Sequence, residues 1–288
     1  MTVKSEDLSV EVIPFNHFVT RKTQMASKAH KILVLHGHGQ SAEIIKPKTR
    51  YVRDVFSTLS DGIKFEFEYL SGVLPAYPDA DDPQDQRVWG YGEPERDKIK
   101  GLDISIRHIL DALDQNGPFI GMIGFSSGAA MTAIVTSILE KRRTICDIPW
   151  KTHHPQLEFA ICLSGFKLRN QYYEAFYCPR ISTPMFHAFG ELDATVTPTQ
   201  TEALALDCSY PWFYQFFGGH YVPQIKEYIS FRHSLEYFLR NVLSFTAESL
   251  GSRGILKTLT PRTMCEGTFV HVQGWSQGTS GEVKVLTQ

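Results

Sequence analysis

The amino-acid sequence predicts an α/β fold, in which helices cover both faces of a mostly parallel, doubly wound sheet. Short runs of branched and aromatic residues have the length and composition of strands, and stretches with helical periodicity separate most of them along the chain. Repeated strand–helix units supply the crossover connections that parallel strands need. The composition, with 42% hydrophobic and 21% charged residues, is that of an ordinary globular protein. These observations exclude a disordered, collagen-like or coiled-coil chain.

The predicted elements follow one another along the whole central part of the chain. The predicted strands cover residues 31–36, 65–69, 119–124, 159–163, 185–189 and 212–217. The predicted helices cover residues 43–59, 101–115, 128–141 and 223–243. The strand at 65–69 alternates apolar and polar side chains, which indicates a position near the edge of the sheet. The apolar stripe of the last helix consists of Ile225, Tyr228, Ile229, Leu235, Phe238, Leu239 and Val242.

One domain accounts for these units, and we expect it to span residues 31–246. Residues 1–30 form a polar N-terminal extension that lacks the apolar block and small-residue cleavage site of a secretory signal. Residues 247–288 are rich in Gly, Ser and Thr, and we expect a peripheral or flexible tail there. Within that tail, residues 268–272 have the composition of a short strand.

Charge and cysteine content narrow the functional classes. The net charge of −2 at pH 7 gives no electrostatic reason to expect nucleic acid or an anionic membrane as a partner. No uninterrupted apolar run approaches the roughly 18 residues that span a bilayer. The five cysteines lie at least sixteen positions apart, which excludes a C-x-x-C motif, and their sparse, odd number favours a reducing compartment. We therefore expect a cytoplasmic protein that binds no metal and needs no cofactor.

The strongest motif is Gly-Phe-Ser-Ser-Gly at residues 124–128, a G-x-S-x-G sequence. A predicted strand precedes it and a helix rich in small residues follows, which is the setting of a nucleophilic serine on a strained strand-to-helix turn. Small neighbours are needed because this turn brings the strand and helix backbones close together. A chance match in a Gly/Ser turn is the alternative, but the flanking elements favour Ser126 as the nucleophile.

A nucleophilic serine needs a base and an acid that orients the base, and on this type of fold the chain order is Ser, acid, His. Asp193 follows the strand at 185–189, and catalytic groups of α/β sheets collect at the carboxyl ends of strands. Glu191 is the rival acid, but it follows the strand more closely, so we expect it to point elsewhere. Asp193 is therefore the predicted acid.

His220 is the predicted base because it follows the last strand and a Gly-Gly pair, just before a helix. The alternative for His220 is a solvated loop histidine. Four other histidines fit less well, because they precede a strand, lie within one or lie off the apolar stripe of a helix: His153, His154, His187 and His233. We expect these four to be structural or exposed.

Acyl transfer also needs two backbone N–H groups that bind the oxyanion. The Ser127 amide, directly after the nucleophile, is one predicted donor. The second is expected from the loop after the first strand, where residues 36–40 read His-Gly-His-Gly-Gln. We choose the His38 amide, with Gly39 as the alternative. His36 is expected to brace this loop through hydrogen bonds.

Residues 73–97 contain four prolines, many aspartates and no sustained period, so we expect a long loop that faces the substrate. Tyr77, Trp89 and Tyr91 in this loop have large apolar faces with polar tips, which suit a mixed apolar and polar acyl chain. We therefore expect these three residues to bind substrate. The alternative is an exposed insertion whose aromatic residues only attach it to the domain.

Four motifs follow one another from the end of the first predicted strand to the residues just after the last one. They are L-H-G-H-G-Q-S at residues 35–41, G-F-S-S-G at 124–128, G-x-x-D-x-x-V at 190–196 and G-G-H at 218–220. Together they resemble the fungal serine hydrolase family of the α/β-hydrolases, which contains small carboxylesterases and thioesterases that release polyketides. The resemblance implies the triad Ser126, Asp193 and His220. It also implies a small-molecule acyl ester or thioester substrate, with an acyl carrier domain of a polyketide synthase as a partner.

The sequence therefore predicts an α/β-hydrolase that cleaves acyl esters or thioesters through an acyl-enzyme, with release of a polyketide or similar product as the expected role. Two alternatives stay open. The same triad would make the protein an acyltransferase if another nucleophile accepted the acyl group. The other alternative is a non-catalytic binding protein on the same fold, although such proteins typically lack a triad residue and all three are present here.

Overall fold

The computed structural model describes residues 29–59, 64–79, 85–224 and 228–251, together with short strands at 268–269, 271–273 and 286–287. Nearly all of the predicted N-terminal extension, and most of the predicted tail, lie outside these ranges. The division of the chain into residues 1–30, 31–246 and 247–288 therefore stays a prediction. None of the described helices is long and apolar enough to cross a membrane.

Strands and helices alternate through the described ranges. The strands are β1 (His30–Leu35), β2 (Phe65–Leu70), β3 (Leu74–Pro75), β4 (Arg87–Val88), β5 (Phe119–Phe125), β6 (Phe159–Leu163), β7 (Met185–Gly190), β8 (Pro211–Phe216), β9 (Thr268–Phe269), β10 (His271–Gln273) and β11 (Leu286–Thr287). The helices are α1 (Ala42–Lys48), α2 (Arg50–Thr58), α3 (Leu102–Asn116), α4 (Ser127–Lys141), α5 (Glu174–Tyr177), α6 (Pro198–Ala205) and α7 (Tyr228–Gly251), with a 3-10 turn at Gln171–Tyr173.

Seven strands form one sheet in the order β10-β8-β7-β6-β5-β1-β2, and every neighbouring pair in it is parallel. This confirms the predicted parallel sheet, and β2 lies at its edge as the alternating pattern predicted. The chain runs outward from β1 to β2 and then crosses back to β5, on the other side of β1. The strand order therefore reverses between β1 and β5, and ligands of open α/β sheets bind at the carboxyl ends of strands at such a point.

Two apolar clusters cover the two faces of the sheet, which confirms the doubly wound arrangement. One cluster joins α3, α4 and α5 to strand residues that include Leu33 and Leu35. The other joins α2 and α7 to the alternate residues Ile32 and Val34. Because successive side chains of a strand point to opposite faces, β1 supplies both clusters and is buried on both sides.

The helix predicted over residues 43–59 is divided into α1 and α2. Thr49 lies between them with φ −93° and ψ 12°, outside the helical region. Its hydroxyl donates to the Ile45 carbonyl at 3.2 Å, and Pro47 inside α1 has no amide to donate. The proline and the threonine therefore interrupt a periodicity that continues across both helices.

The last helix differs from its prediction in which residues face the core. Ile229 was expected on the apolar stripe, but 71% of it is exposed. Phe231 is fully buried instead, on the same face as Leu235 and Phe238. Two residues of a helix turn the side chain by about 200°, so Ile229 and Phe231 cannot share a face. Ile225, the first predicted member of the stripe, lies outside the described residues.

The segment at 73–97 is less open than the predicted long loop. β3 and β4 pair antiparallel within it, with Leu74 opposite Val88. Two further bridges join Gln40 to Arg87 and Tyr91 to Lys100. These strands are only two residues long, so they leave no periodic pattern that a sequence could show. The bridge between Gln40 and Arg87 attaches the segment to the loop that follows β1.

Candidate active site

Ser126 lies at the junction of β5 and α4 in a strained backbone conformation, with φ 55° and ψ −121°. Such strain in a residue other than glycine is uncommon and collects at functional sites. A Cβ at Gly124 would lie 2.3 Å from the Gly128 carbonyl oxygen, and one at Gly128 would lie 2.4 Å from the His36 carbonyl oxygen. Glycine is therefore required at both positions, and the G-x-S-x-G sequence forms the expected strand-to-helix turn.

A chain of hydrogen bonds connects the three predicted triad residues. Ser126 Oγ lies 2.9 Å from His220 Nε2, and His220 Nδ1 lies 2.7 Å from Asp193 Oδ2. The three residues follow β5, β7 and β8, whose carboxyl ends meet at one edge of the sheet. The Asp193 side chain is fully buried, and its carboxylate accepts a hydrogen bond from Nδ1–H. Nε2 is then the unprotonated nitrogen that can accept from Ser126 Oγ.

The loop after β7 separates the two candidate acids. The second carboxylate oxygen of Asp193, Oδ1, accepts the amides of Thr195 and Val196, both at 2.9 Å. These bonds orient the carboxylate towards His220. The Glu191 side chain is exposed, and its amide donates to the Phe216 carbonyl at 2.8 Å. The structure therefore brings Asp193, and not Glu191, to the histidine.

Two of the three amides that follow His36 in the loop after β1 are already hydrogen-bonded. The Gly37 amide donates to Gln40 Oε1 at 3.3 Å, and the Gly39 amide donates to the Arg87 carbonyl at 3.1 Å. The His38 amide donates to no residue in the described part of the chain, and His38 lines the same cavity as Ser126. Gly39, the alternative donor, is therefore occupied.

Ser127 is the first residue of α4, so its amide has no partner within the helix. The positive end of the helix dipole lies at the same place. His38 and Ser127 both line the cavity that contains Ser126, which is consistent with the predicted oxyanion site. Their role as oxyanion donors stays a prediction.

His36 braces the loop after β1, as predicted. It is fully buried; its Nδ1 donates to the Gly37 carbonyl at 2.7 Å, and its Nε2 accepts from the Gly72 amide at 2.8 Å. Burial lowers the pKa of His36 from 6.5 to about 4. The imidazole is therefore neutral at pH 7, and both of its nitrogens have partners.

A cavity of about 250 Å³ opens beside Ser126. Its described lining contains no Lys, Arg, Asp or Glu. Most of the lining is apolar. These residues come from residues 89–99, from α3 and α4, and from the loops after β6 and β7: Trp89, Pro94, Ile99, Leu102, Ala130, Met131, Ile134, Phe166, Leu168 and Val196. The cavity therefore suits an uncharged, apolar group held next to the serine.

The structure separates the three aromatic residues that were predicted to bind substrate. Trp89 lines the cavity, whereas Tyr77 and Tyr91 are not among its described lining residues. The Tyr91 hydroxyl donates to the Pro75 carbonyl at 2.6 Å, which fixes this side chain within its own segment. Tyr77 is 54% exposed. Backbone pairing of the segment turns its aromatic residues to different sides, and composition alone does not indicate which side each one takes.

Sequence reasoning missed most of the cavity lining. Met131 and Ile134 follow Ser127, the first residue of α4, by four and seven positions, so helical periodicity from Ser127 was a signal that could have found them. Phe166 and Thr195 come from loops after β6 and β7. No local pattern distinguishes these two residues from other loop residues, since only the packing of the sheet brings them to the serine.

The four remaining histidines lie outside this site, in agreement with the prediction. His153 and His233 are exposed. His154 donates from Nδ1 to the Pro155 carbonyl at 2.7 Å and accepts at Nε2 from the Phe119 amide at 2.8 Å. His187 is fully buried in β7, and burial lowers its pKa to about 3. Neither His154 nor His187 is positioned to act on a substrate.

Comparison with known proteins agrees with this geometry. The profile of the family described as serine hydrolase (FSH1) matches residues 25–232 of the chain. The chain belongs to the FSH1 serine hydrolase family. Esterase OVCA2 of Xenopus tropicalis is 29% identical over 206 residues, which is 67% of this chain and 86% of the relative. Family of serine hydrolases 3 of Saccharomyces cerevisiae (strain ATCC 204508 / S288c) is 27% identical over 224 residues, which is 71% of this chain and 82% of the relative.

A solved structure has the same fold as this FSH1-family chain. A predicted CIB-like hydrolase from Thermoplasma acidophilum superposes with a TM-score of 0.50 at 18% identity, covering 75% of this chain and 88% of that protein. The fold is that of the α/β-hydrolases, as predicted. The chain is a serine hydrolase of the esterase type, and the frog relative shows that the family extends beyond fungi.

Proposed function

We propose that this protein hydrolyses acyl esters and thioesters through an acyl-enzyme on Ser126. The observation that carries the proposal is the unbroken hydrogen-bond chain from Asp193 through His220 to Ser126 at the cavity. As Ser126 Oγ bonds to the acyl carbon, His220 Nε2 takes its proton, and Asp193 stabilises the imidazolium. His220 then gives that proton to the leaving alcohol or thiol. In the second half of the cycle, His220 takes a proton from the water that attacks the acyl carbon. It then returns this proton to Ser126 Oγ as the bond between Oγ and the acyl carbon breaks and the acid leaves.

Negative charge develops on the acyl oxygen in both tetrahedral intermediates. The amides of His38 and Ser127 are the proposed donors to this oxygen, and the N-terminus of α4 adds its positive dipole. Removal of one such donor typically costs about 10²–10³ in kcat. These donors act without any metal or organic cofactor, so none is part of the proposed chemistry.

The size of the cavity supports a definite acyl length. A cavity of roughly 150 Å³ holds benzene, so one of about 250 Å³ holds roughly ten carbon atoms on the same scale. Its lining runs along α4 from Ser126 to Ile134, and eight residues of helix rise about 12 Å. Both measures support an uncharged acyl chain of about eight to ten carbons, with Ile134 at its far end.

Two narrower statements belong to this proposal. Polyketide-type acyl groups, presented by an acyl carrier domain, form one class of substrates that the same chemistry would accept. The apolar lining gives them no preference over other apolar acyl chains. The cytoplasm is the proposed compartment, on the grounds of the sparse and odd cysteine content. The acyltransferase alternative differs only in the nucleophile that takes the acyl group, and the binding-protein alternative is disfavoured because all three triad residues are hydrogen-bonded to one another.

A fluorophosphonate probe tests the proposal directly, because it reacts only with an activated serine. The wild type should be labelled and should hydrolyse p-nitrophenyl octanoate, whereas Ser126→Ala should be unlabelled and lose on the order of 10⁶ in kcat. Ser137→Ala is the matched control, since Ser137 is another buried serine of α4 and bonds to the Phe176 carbonyl. Persistent labelling of a folded Ser126→Ala protein would overturn the assignment. Octanoate transfer to an alcohol in preference to water would favour the acyltransferase.

A further inference from the structure

We propose that His36 and Trp89 are positioning residues that hold the His38 amide at the oxyanion site and couple its placement to the wall of the acyl cavity. This inference rests on the proposed function, since it concerns the step in which charge develops on the acyl oxygen. Neither side chain touches the reacting atoms. Both act through the backbone of the loop after β1, which His36 begins.

His36 holds the start of this loop from inside the protein. Its Nδ1 donates to the Gly37 carbonyl, the group that is linked directly to the His38 amide nitrogen. Its Nε2 accepts from the Gly72 amide, just after β2. The orientation of the peptide unit between Gly37 and His38 therefore depends on an imidazole that is bonded at both nitrogens and buried on all sides.

Trp89 holds the same loop from the side of the cavity. Its Nε1 donates to the His36 carbonyl at 2.8 Å, and its indole stacks on the His36 ring with centroids 4.7 Å apart. Trp89 is 3% exposed, so the bond and the stack are both shielded from water. The remaining surface of the indole lines the acyl cavity. One side chain thus contacts both the space for the acyl chain and the base of the oxyanion loop.

The far side of His38 is tied to the same segment. The Gly39 amide donates to the Arg87 carbonyl at 3.1 Å, and the Arg87 amide donates to the Gln40 carbonyl at 2.8 Å. Residues on both sides of His38 are therefore bonded to residues 87–89. The His38 amide itself donates to no described residue. These ties fix the loop on both sides of His38, whose amide is the donor that this inference assigns to the substrate.

This contact links the length of the substrate's acyl chain to kcat. A chain that fills the cavity packs against the indole and restrains it, and the indole in turn restrains the His36 carbonyl. Binding energy from the chain is then used to place a donor that matters in the transition state, so a longer chain raises kcat and does not merely lower KM. A short acetyl group leaves the indole without this contact.

The chain contains a matched control in His154. This histidine makes the same two bonds as His36, from Nδ1 to the next carbonyl at 2.7 Å and at Nε2 from a backbone amide at 2.8 Å. It is also buried, but it lies at the amino end of β5, away from Ser126. Asparagine at either position retains a donor near Nδ1 and removes the acceptor at Nε2. The two substitutions therefore break equivalent bonds in different places.

The experiment compares His36→Asn, Trp89→Phe and His154→Asn with the wild type. The measurements are kcat and KM for p-nitrophenyl octanoate and acetate, the rate constant of fluorophosphonate labelling, and Tm. We expect His36→Asn and Trp89→Phe to lower kcat for octanoate at least tenfold, with KM changed less than threefold and labelling slowed in parallel. The ratio of octanoate kcat to acetate kcat should fall towards one in Trp89→Phe. His154→Asn should lower Tm as much as His36→Asn does and leave kcat unchanged.

The outcomes separate this inference from the proposed function. If His36→Asn and Trp89→Phe both retain wild-type kcat for octanoate, whatever they do to Tm, the two residues are structural only and the inference is wrong. If His36→Asn does not fold, Trp89→Phe decides the matter alone, since it keeps an aromatic ring and removes only the indole donor. If the wild type neither labels nor hydrolyses octanoate, the proposed function fails and this inference fails with it.

Discussion

The carboxyl ends and the amino ends of the parallel strands form two opposite edges of the sheet, called here the carboxyl edge and the amino edge. Each of these edges carries a histidine with nearly the same hydrogen bonds. At the carboxyl edge, His36 donates from Nδ1 to the carbonyl of the next residue and accepts at Nε2 from a distant backbone amide. At the amino edge, His154 makes the same pair of bonds at the same two distances. Burial lowers the pKa of both imidazoles, so both are neutral at pH 7.

Two aspartates, one at each edge, also make similar hydrogen bonds. At the carboxyl edge, Asp193 accepts the amides of two following residues through one carboxylate oxygen. At the amino edge, Asp114 also uses one oxygen, which accepts from the Thr152 hydroxyl at 2.8 Å and from the His153 amide at 3.0 Å. Each edge therefore holds a histidine and a carboxylate that are oriented by backbone groups.

The edges differ in what these bonds leave available. At the amino edge, the bonds of His154 and Asp114 join one part of the backbone to another. At the carboxyl edge, the second oxygen of Asp193 continues the chain to His220 and Ser126, and His38 lines the cavity beside Ser126. Helices that follow parallel strands also begin at this edge, so their positive ends meet there. The same groups stabilise the protein at one edge, and in our proposal they position reactive atoms at the other.

The largest expected effect separates the two aspartates. Asp193→Asn should lower kcat very roughly 10⁴-fold, because the asparagine amide favours the wrong tautomer of His220 and cannot stabilise the imidazolium. Asp114→Asn should lower Tm and leave kcat unchanged, because its bonds lead to Thr152 and His153 and not to the triad. Steady-state kinetics on p-nitrophenyl octanoate, with thermal unfolding of both variants, measures the difference.

Glu191→Gln is the control within the same loop as Asp193. Its side chain is exposed and contacts neither His220 nor Ser126, so the substitution should have only a small effect on kcat. A large loss of kcat in Glu191→Gln, together with wild-type kcat in Asp193→Asn, would contradict the assignment of Asp193 as the acid. Loss of activity in Asp114→Asn at unchanged Tm would contradict the contrast between the edges.

Acid should destabilise the protein through the buried histidine at each edge, His36 and His154. The pKa of His36 is about 4 in the folded protein and about 6.5 in the unfolded chain, so only the unfolded chain is protonated between these values. The free energy of unfolding therefore falls as the pH falls from 6.5 towards 4, by about 3 kcal/mol for His36. Urea unfolding at pH 7.5, 6 and 4.5 measures this slope.

The variants show which histidines cause the slope. His36→Asn and His154→Asn should each have a shallower dependence of unfolding free energy on pH than the wild type, because each removes a neutral buried imidazole. The effect at His36 and at His154 should therefore have the same sign, unlike the effect of the two substitutions on kcat. A slope identical to that of the wild type in His36→Asn would show that this imidazole is not neutral and buried in solution.

The smallest expected effect concerns the end of the acyl cavity. Ile134→Ala removes three carbon atoms from the cavity wall, so the acyl chain of highest kcat/KM should become about two or three carbons longer, with a change of roughly tenfold or less. Ile138→Ala is the control, since Ile138 is buried one turn further along α4 and is not among the described lining residues. Both variants should lose stability, on the order of 2–5 kcal/mol. Kinetics with p-nitrophenyl esters of 2 to 16 carbons decides whether only Ile134→Ala moves the optimum.

Local signals in the sequence determined most of the fold and the proposed reactive groups. The strand at β5, the glycines around Ser126 and the small residues of α4 are neighbours in the chain, so the strand-to-helix turn follows from short-range sterics. Asp193 and His220 could be found because residues after the strands of a parallel sheet collect at one edge, whatever the rest of the chain does. The parallel sheet itself follows from the alternation of elements.

Tertiary structure alone decided what surrounds those groups. Trp89, Tyr77 and Tyr91 look alike in the sequence, but only packing determined that Trp89 lies between the cavity and His36 while Tyr91 bonds to Pro75. His36 and His154 likewise make equivalent bonds, each to the next carbonyl and to a distant backbone amide, and only tertiary structure places them at opposite ends of the strands. The physical reason is that hydrogen bonding and steric fit within a few residues are encoded locally, whereas a cavity is the space left between side chains from distant segments, and its shape exists only once the sheet, the helices and the loops have packed together.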